Sequence, residues 1–341
     1  MRVRAETISP QGAMIPSDQS EAMSEKQFRG IIIKGIGGLY GVRPISNENI
    51  NTSPDGTVPC RARGVFRHDK ITPLPGDTVV AALTDEENGE GVIDVIEERK
   101  NSLIRPALAN LTHLFIVIPA TKPRPDLLTA DKLVSAAEDK GIEPVIVITK
   151  EDLDEAETSR IAEIYRLGGF FVFTLSGHTG EGVSALLSYM EREAETTLTA
   201  AFAGVSGAGK STLMAKLFPE LSTLKTGEIS RKIERGKHTT RHAELYPVRV
   251  GDRICFIADT PGFSMIDFQR FNFTDKEGLP YTFREFVPLI GECRYTKCTH
   301  TKEEGCAILE RVKSGKISKQ RHDSFVAMLD ELNKNPPWKK K

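Results

Sequence analysis

The sequence predicts a multidomain α/β protein: a small β-barrel, then a doubly wound parallel sheet, then a small, mostly helical module. Three observations predict it. Short β-like runs broken by Gly, Pro and Asn fill 28–100. Apolar strands alternate with amphipathic helices from 113 onward, and polar, cysteine-bearing text begins at 271. At 341 residues the chain is long enough for two or three domains, each with its own core.

In the first unit the runs GIIIKGIGGLYGV, VPCRARGVF, DTVVAAL and GVIDVIEE are separated by turn signals, PLPGD at 73–77 and ENGEG at 87–91. An OB-type barrel is the leading expectation and an SH3-like barrel the alternative, because periodicity does not separate them. Ahead of it, 1–27 mixes acids and bases without an apolar core. It is read as a flexible tail and not a secretory signal.

In the second unit HLFIVIPA (113–120) has the pattern of a fully buried strand, and 126–140 follows as an amphipathic helix. PVIVITK (144–150), a helix over 154–167, FFVFTLS (170–176) and a helix over 181–195 continue the alternation. TLTAAFAG (197–204) and KSTLMAKLF (210–218) add a further strand and helix, and 243–250 with 253–260 form a hairpin about Gly251-Asp252. Such alternation is the signature of a doubly wound sheet.

Composition is that of an ordinary globular protein, 39% hydrophobic and 27% charged, and no apolar run is long enough to span a bilayer. The cytoplasm is the expected location and a membrane partner is not expected. A net charge of -1 does not announce a nucleic-acid binder, yet basic residues cluster. Arg61, Arg63, Arg67 and Lys70 form one group; Lys225, Arg231, Lys232, Arg235, Lys237 and Arg241 a second; Arg311, Lys313, Lys316, Lys319 and Arg321 a third. Local contact with a polyanion remains open.

GVSGAGKST at 204–212 carries the chemistry. Gly204-x4-Gly209-Lys210-Ser211 matches a phosphate loop in full. The backbone of Gly204, Val205, Ser206, Gly207, Ala208 and Gly209 turns its N–H groups inward around phosphate oxygens. Lys210 reaches the β- and γ-phosphates, the Ser211 hydroxyl ligates Mg²⁺, and Thr212 continues the first helical turn. Asp259, in DTPG at the end of an apolar strand, supplies the second carboxylate for the metal, through water. Between them GKHTTR (236–241) offers Thr240, in preference to Thr239, to close on Mg²⁺ when a γ-phosphate is present.

Base identity rests on Thr149-Lys150-Glu151-Asp152 at the end of the strand PVIVI. The Asp152 carboxylate can accept both N1–H and the 2-amino group of guanine; adenine offers no such pair. A charge-assisted contact of this kind contributes about 1.5–3 kcal/mol. The Lys150 stem packs along the purine, and Ser176-Gly177, one strand later, can present a backbone N–H to the guanine O6. The base motifs therefore precede the phosphate loop, the reverse of the ordinary GTPase order. This is a circularly permuted GTPase domain, tolerated because domain termini lie close together.

The permuted order, GVSGAGKS, GKHTT, DTPGF and the barrel together resemble the RsgA (YjeQ/YloQ) family of ribosome-small-subunit-dependent GTPases, over roughly 28–330. Thr149 departs from the Asn usual there, though threonine can still make the loop-bracing hydrogen bond. The resemblance implies GTP hydrolysis to GDP on the small ribosomal subunit, with its 16S-type rRNA as partner, late in its maturation. The chain is expected to act as a monomer.

Cys293, Cys298, His300 and Cys306 have the spacing C-x4-C-x-H-x5-C. Three thiolates and an imidazole suit tetrahedral Zn²⁺, and four protein ligands argue for a structural ion. The set also matches the family motif. Cys255 reads as core. Ile317, Arg321, Phe325, Met328 and Leu332 recur at helical spacing, so a terminal helix should pack on this module. The expected units are thus a tail (1–27), barrel (28–100), permuted GTPase domain (101–270) and zinc-binding module (271–341).

Where many GTPases place a water-orienting glutamine after DxxG, this chain has Phe263, so slow intrinsic turnover is expected. His238 is the candidate replacement, with Lys210 neutralising charge. Because DTPGF leads into the zinc module, GTP is expected to order 226–241 and 262–270 and so set the module and barrel for rRNA. The rival readings are a non-catalytic GTP-binding scaffold and a P-loop ATPase in which TKED is accidental.

Overall fold

The computed structural model describes residues 26–45, 50–85, 87–104, 107–195, 197–221, 243–259 and 274–334. Strands β1 (Gln27–Ile36), β2 (Leu39–Pro44), β3 (Val58–Ala62), β4 (Thr78–Asp85) and β5 (Glu90–Ile96) close into a barrel in the order 1-2-3-5-4. β3 runs parallel to β5, and a one-turn helix, α1 (Gly64–His68), connects β3 to β4. That Greek-key order is the OB type, which settles the choice left open against an SH3-like barrel. The run VPCRARGVF is therefore a strand followed by a helix, not one strand.

The triple isoleucine of β1 has a simple cause. Successive side chains point to opposite faces, so Phe28 and Ile32 fill the barrel while Ile31 and Ile33 join the core of the next unit. Cys60 lies in the barrel core and Cys255 in the sheet core. Burial pushes their thiols up to about 12 and about 11, as expected of inert core cysteines.

After a short hairpin, β6 (Ser102–Ile104) and β7 (Ala107–Ala109), comes a six-stranded sheet. Its strands are β8 (His113–Pro119), β9 (Glu143–Thr149), β10 (Val172–Leu175), β11 (Thr199–Ala203), β12 (Glu244–Val250) and β13 (Arg253–Asp259), ordered 10-9-8-11-13-12. All pairings are parallel except β12 with β13. Helices α2 (Leu127–Asp139) and α3 (Glu155–Leu167) cover one face, where Ile116, Ile118, Ile146 and Ile148 point. Helices α4 (Val183–Glu193) and α5 (Lys210–Leu217) cover the other, against Phe115, Val117, Val145 and Val147. The alternation within each strand is why these strands read as continuous apolar runs.

The C-terminal module has two 3-10 turns (Leu279–Thr282 and Val287–Leu289), a cysteine loop, and helices α6 (Ala307–Lys313) and α7 (Lys319–Lys334). Its core is Leu279, Phe283, Phe286, Cys306, Ile308, Ile317, Phe325 and Met328. The module rests on α2. Leu128, Asp131, Lys132, Ser135 and Glu138 share one face of that helix and all meet it. Asp131 and Ser135 are wholly buried there. Thr282 Oγ1 donates to Leu279 O (2.8 Å), so Ser135 Oγ is the donor in its bond to Thr282. Arg284 lies 4.5 Å over the Phe170 ring and bonds Glu138 (2.6 Å) and both oxygens of Glu143 (3.1 Å).

Arg321 corrects one sequence reading. Counted above with a basic surface cluster, it has no exposed area, and bonds Asp131 (2.7 Å) and Glu285 (2.8 and 3.1 Å). A buried, paired guanidinium is unavailable to a polyanion. Its place in the apolar stripe of α7 was the signal that it faces a neighbour.

Candidate functional site

The parallel strands bring the dispersed motifs to one edge of the sheet. β9 ends at Thr149, β10 precedes Ser176-Gly177, β11 precedes Gly204 and β13 ends at Asp259, so these four C-terminal strand ends lie along one edge, with β8 between β9 and β11. In an open α/β sheet this edge is where ligands bind. The base motif stands two strands to one side of the glycine loop, and the DTPG strand borders it on the other.

Two glycines allow the loop. Gly204 has φ 147, and a β-carbon there would lie 2.3 Å from the Val117 carbonyl oxygen. Backbone meets backbone, so no other residue fits. Gly209, with φ 95, caps the N-terminus of α5. Lys210 folds its Nζ onto the loop's own carbonyls, Gly204 O at 2.7 Å and Val205 O at 2.9 Å. Burial lowers its pKa. Ser211 and Thr212 stand exposed on the first turn of α5, and Ser206 and Gly207 are exposed on the loop; Ala208 is buried beneath it.

The base motif is fastened to that loop, and Thr149 makes the bracing hydrogen bond expected of it. The buried Thr149 donates its Oγ1–H to Ala208 O at 2.5 Å. Lys150, in a left-handed conformation (φ 64), donates from Nζ to Gly207 O at 3.0 Å and to Lys122 O. Asp152 lies in a 3-10 turn (Glu151–Leu153), exposed, with no partner among the described residues. The Ser176 Oγ accepts from the backbone N–H of His178 (3.2 Å) and Thr179 (3.0 Å), shaping the loop after β10. A β-carbon on Gly177 would meet the Thr212 methyl at 3.1 Å, so this loop lies against the start of α5. His238, Thr239, Thr240, Phe263 and the Asp259 side chain are outside the described residues.

In the C-terminal module the four atoms of Cys293, Cys298, His300 and Cys306 lie within 4.8 Å of one another. Cys293 Sγ is 3.9 Å from Cys306 Sγ, and His300 Nδ1 is 3.5 and 3.6 Å from those sulfurs. A tetrahedron with metal–S about 2.3 Å and metal–N about 2.05 Å has S–S edges of about 3.8 Å and S–N edges of about 3.6 Å. The three edges among Cys293, His300 and Cys306 match such a tetrahedron, with Nδ1 as the imidazole ligand, and the four residues could hold a metal ion. Burial keeps His300 below its usual pKa, hence neutral, the form that ligates. Burial also pushes the Cys298 thiol up to about 12, so a cation must supply the field that ionises it.

The cage is held by its own loop. Glu303 accepts from Thr299 N (3.0 Å), Thr301 N and Lys302 N (3.1 Å each). Burial alone would raise its pKa, but these bonds and the Thr299 hydroxyl hold it at about 2. His300 takes a left-handed conformation, φ 59.

Comparison with known proteins bears directly on this arrangement. Residues 96–269 match the RsgA GTPase model and 29–93 the RsgA N-terminal domain model. The small ribosomal subunit biogenesis GTPase RsgA of Ruminiclostridium cellulolyticum is 37% identical over 312 residues, 92% of this chain and 96% of the relative. That of a Geobacillus species is 39% identical over 312 residues, covering 90% and 98%. The chain belongs to the RsgA GTPase family. It is thus an enzyme that hydrolyses GTP, and the ATPase and scaffold alternatives fall away. Among solved structures, YjeQ from Thermotoga maritima superimposes with a TM-score of 0.73 at 28% identity, over 90% of this chain and 99% of that one. YloQ, described as a circularly permuted GTPase, gives 0.71 at 30% identity over 93% and 99%. The permutation inferred from motif order is the family's architecture. Among the described residues no helix is long and apolar enough to cross a membrane.

Proposed function

We propose that this chain hydrolyses GTP at the C-terminal edge of its sheet to drive late maturation of the small ribosomal subunit, acting in the cytoplasm as a monomer on 16S-type rRNA. The observation that carries the site is the bond from Thr149 to Ala208. It ties base motif to phosphate loop, although fifty-nine positions separate them in the chain.

In this reading the chain divides near 100 and 270 into barrel, GTPase domain and metal module. Asp152 accepts the guanine N1–H and 2-amino group, Lys150 flanks the purine, and the Ser176-Gly177 backbone donates to O6. The backbone of 204–209 and Thr212 cradle the phosphates. Lys210 exchanges its two carbonyl partners for phosphate oxygens, a replacement favoured because its ammonium is half-buried. Mg²⁺ arriving with GTP would be held by Ser211 and Thr240, and by Asp259 through water; it neutralises charge on the phosphates. His238 orients the attacking water, since Phe263 offers no polar group. The metal of the C-terminal cage is one structural Zn²⁺, supported by the donor set and its tetrahedral spacing.

GTP turnover measured with and without purified small subunits tests this. Subunits should accelerate wild type, and His238→Ala should lose most of that acceleration. Equal turnover with and without subunits would remove the ribosomal assignment.

A further inference from the structure

The four cage ligands all lie in one loop of the C-terminal module, and that loop is also bonded to the last helix. His322 Nε2 lies 2.7 Å from the backbone carbonyl of His300, both residues buried. A carbonyl only accepts, so Nε2 carries the proton and donates. The carbonyl it meets belongs to a metal ligand held in a left-handed conformation, which costs a non-glycine residue on the order of 1 kcal/mol and needs surrounding contacts to persist. The His322 ring packs against the touching pair Phe286 and Phe325, 6.3 and 6.2 Å away between centroids. It is thereby fixed in the module's core.

The preceding residue of the same helical turn faces the other way. Arg321 leaves the module and ends on Asp131 of α2, in the GTPase domain, with Glu285 beside it. Two successive residues at the start of α7 thus grip the metal loop and the GTPase domain. Both sit on one hydrogen-bonded turn, His322 N–H donating to Ser318 O at 3.1 Å, so a shift of that turn moves both.

We propose that the first turn of α7 couples metal occupancy to docking on α2, with His322 as positioning residue for the cage and Arg321 as the docking residue. This rests on the Zn²⁺ reading of the cage. Coupling of two binding events is reciprocal. If the ion fixes the His300 carbonyl, and through His322 fixes Arg321, then Asp131 must in return help the cage retain its ion.

The test reads zinc release from the full-length protein to a chromogenic chelator, after metal content is measured by plasma mass spectrometry. Asp131→Asn changes a helix of another domain and touches no cage residue. It should speed release about fivefold, at the low end of typical coupling. His322→Phe, which keeps a ring but no donor, should speed release at least as much, while His322→Gln, which keeps an N–H, should restore most of the retention. Where Asp131→Asn does not fold, Lys132→Ala serves. It removes the pair of Lys132 Nζ with the exposed Glu331 across the same joint (2.7 Å), together with the packing of its stem there, and should give about a twofold change. Stoichiometric zinc with wild-type release from both α2 variants overturns the coupling and leaves the metal reading standing. Protein purified without zinc overturns both.

Discussion

Thr149 Oγ1 donates to the carbonyl of Ala208 at 2.5 Å, joining the strand of the proposed base motif to the glycine loop after β11. Ala208 is wholly buried, so without this donor its carbonyl would lose a partner away from water. Thr149→Val keeps shape and removes the hydroxyl. GDP affinity should fall about tenfold, corresponding to about 1.4 kcal/mol. Thr149→Asn, whose amide can donate to the same carbonyl, should bind GDP like wild type. Titration with a fluorescent GDP analogue checks both. Unchanged affinity for the valine variant would remove Thr149 from the site.

Asp152 carries guanine selectivity in the proposed site. Replacing its carboxylate by an amide turns one acceptor into a donor, which suits a base with a carbonyl at position 2. Asp152→Asn should therefore bind GDP at least a hundredfold more weakly and xanthosine diphosphate more tightly than GDP. Affinities for GDP, ADP and xanthosine diphosphate, measured on both proteins, decide it. Persisting preference for GDP in the variant would mean that guanine is read elsewhere.

Much of the fold and the outline of the site were legible because they rest on local chemistry. Strands buried on both faces read as apolar runs, and glycine-bearing loops announce themselves by spacing. What stayed hidden depends on which faces meet. LLTADKLVSAAEDK reads as one amphipathic helix, yet α2 packs one face on the sheet and another on the C-terminal module, so Asp131 and Ser135 are buried although polar. Arg321 looked like part of a basic patch because composition does not say that two carboxylates wait for it. The barrel type was hidden for a similar reason: periodicity fixes which face is apolar, while the order 1-2-3-5-4 depends on pairing between distant strands.

Gly204 is held to glycine by geometry, and the cost of changing it is specific. A methyl group would stand 2.3 Å from a backbone oxygen of β8, and φ 147 is strained for any other residue. Gly204→Ala should lower stability by at least 2 kcal/mol and abolish measurable GTP binding. Gly141, also at positive φ but with open space around its β-carbon, is the control: Gly141→Ala should cost about 1 kcal/mol and leave GTP binding intact. Thermal unfolding with a nucleotide titration separates the two cases.

The joint between α7 and α2 should be the most sensitive charged group in the described structure. Burial disfavours the Arg321 charge, but Glu285 and Asp131 more than restore it, so the guanidinium stays ionised. It also lies over Phe283 (4.6 Å) and Phe170 (5.0 Å), one ring from each side of the joint. Arg321→Ala leaves two buried carboxylates with no cation between them. The expected loss is about 3–5 kcal/mol, read by denaturant unfolding, with proteolysis separating the module from the GTPase domain. Apolar replacement of the whole triad, Arg321→Met with Asp131→Leu and Glu285→Met, should recover most of that loss, because a buried triad mainly offsets its own desolvation. Zinc retention should not recover with it, since methionine packs against α2 without the directed bond that holds the start of α7. A single variant at wild-type stability would show that the triad does not hold the joint.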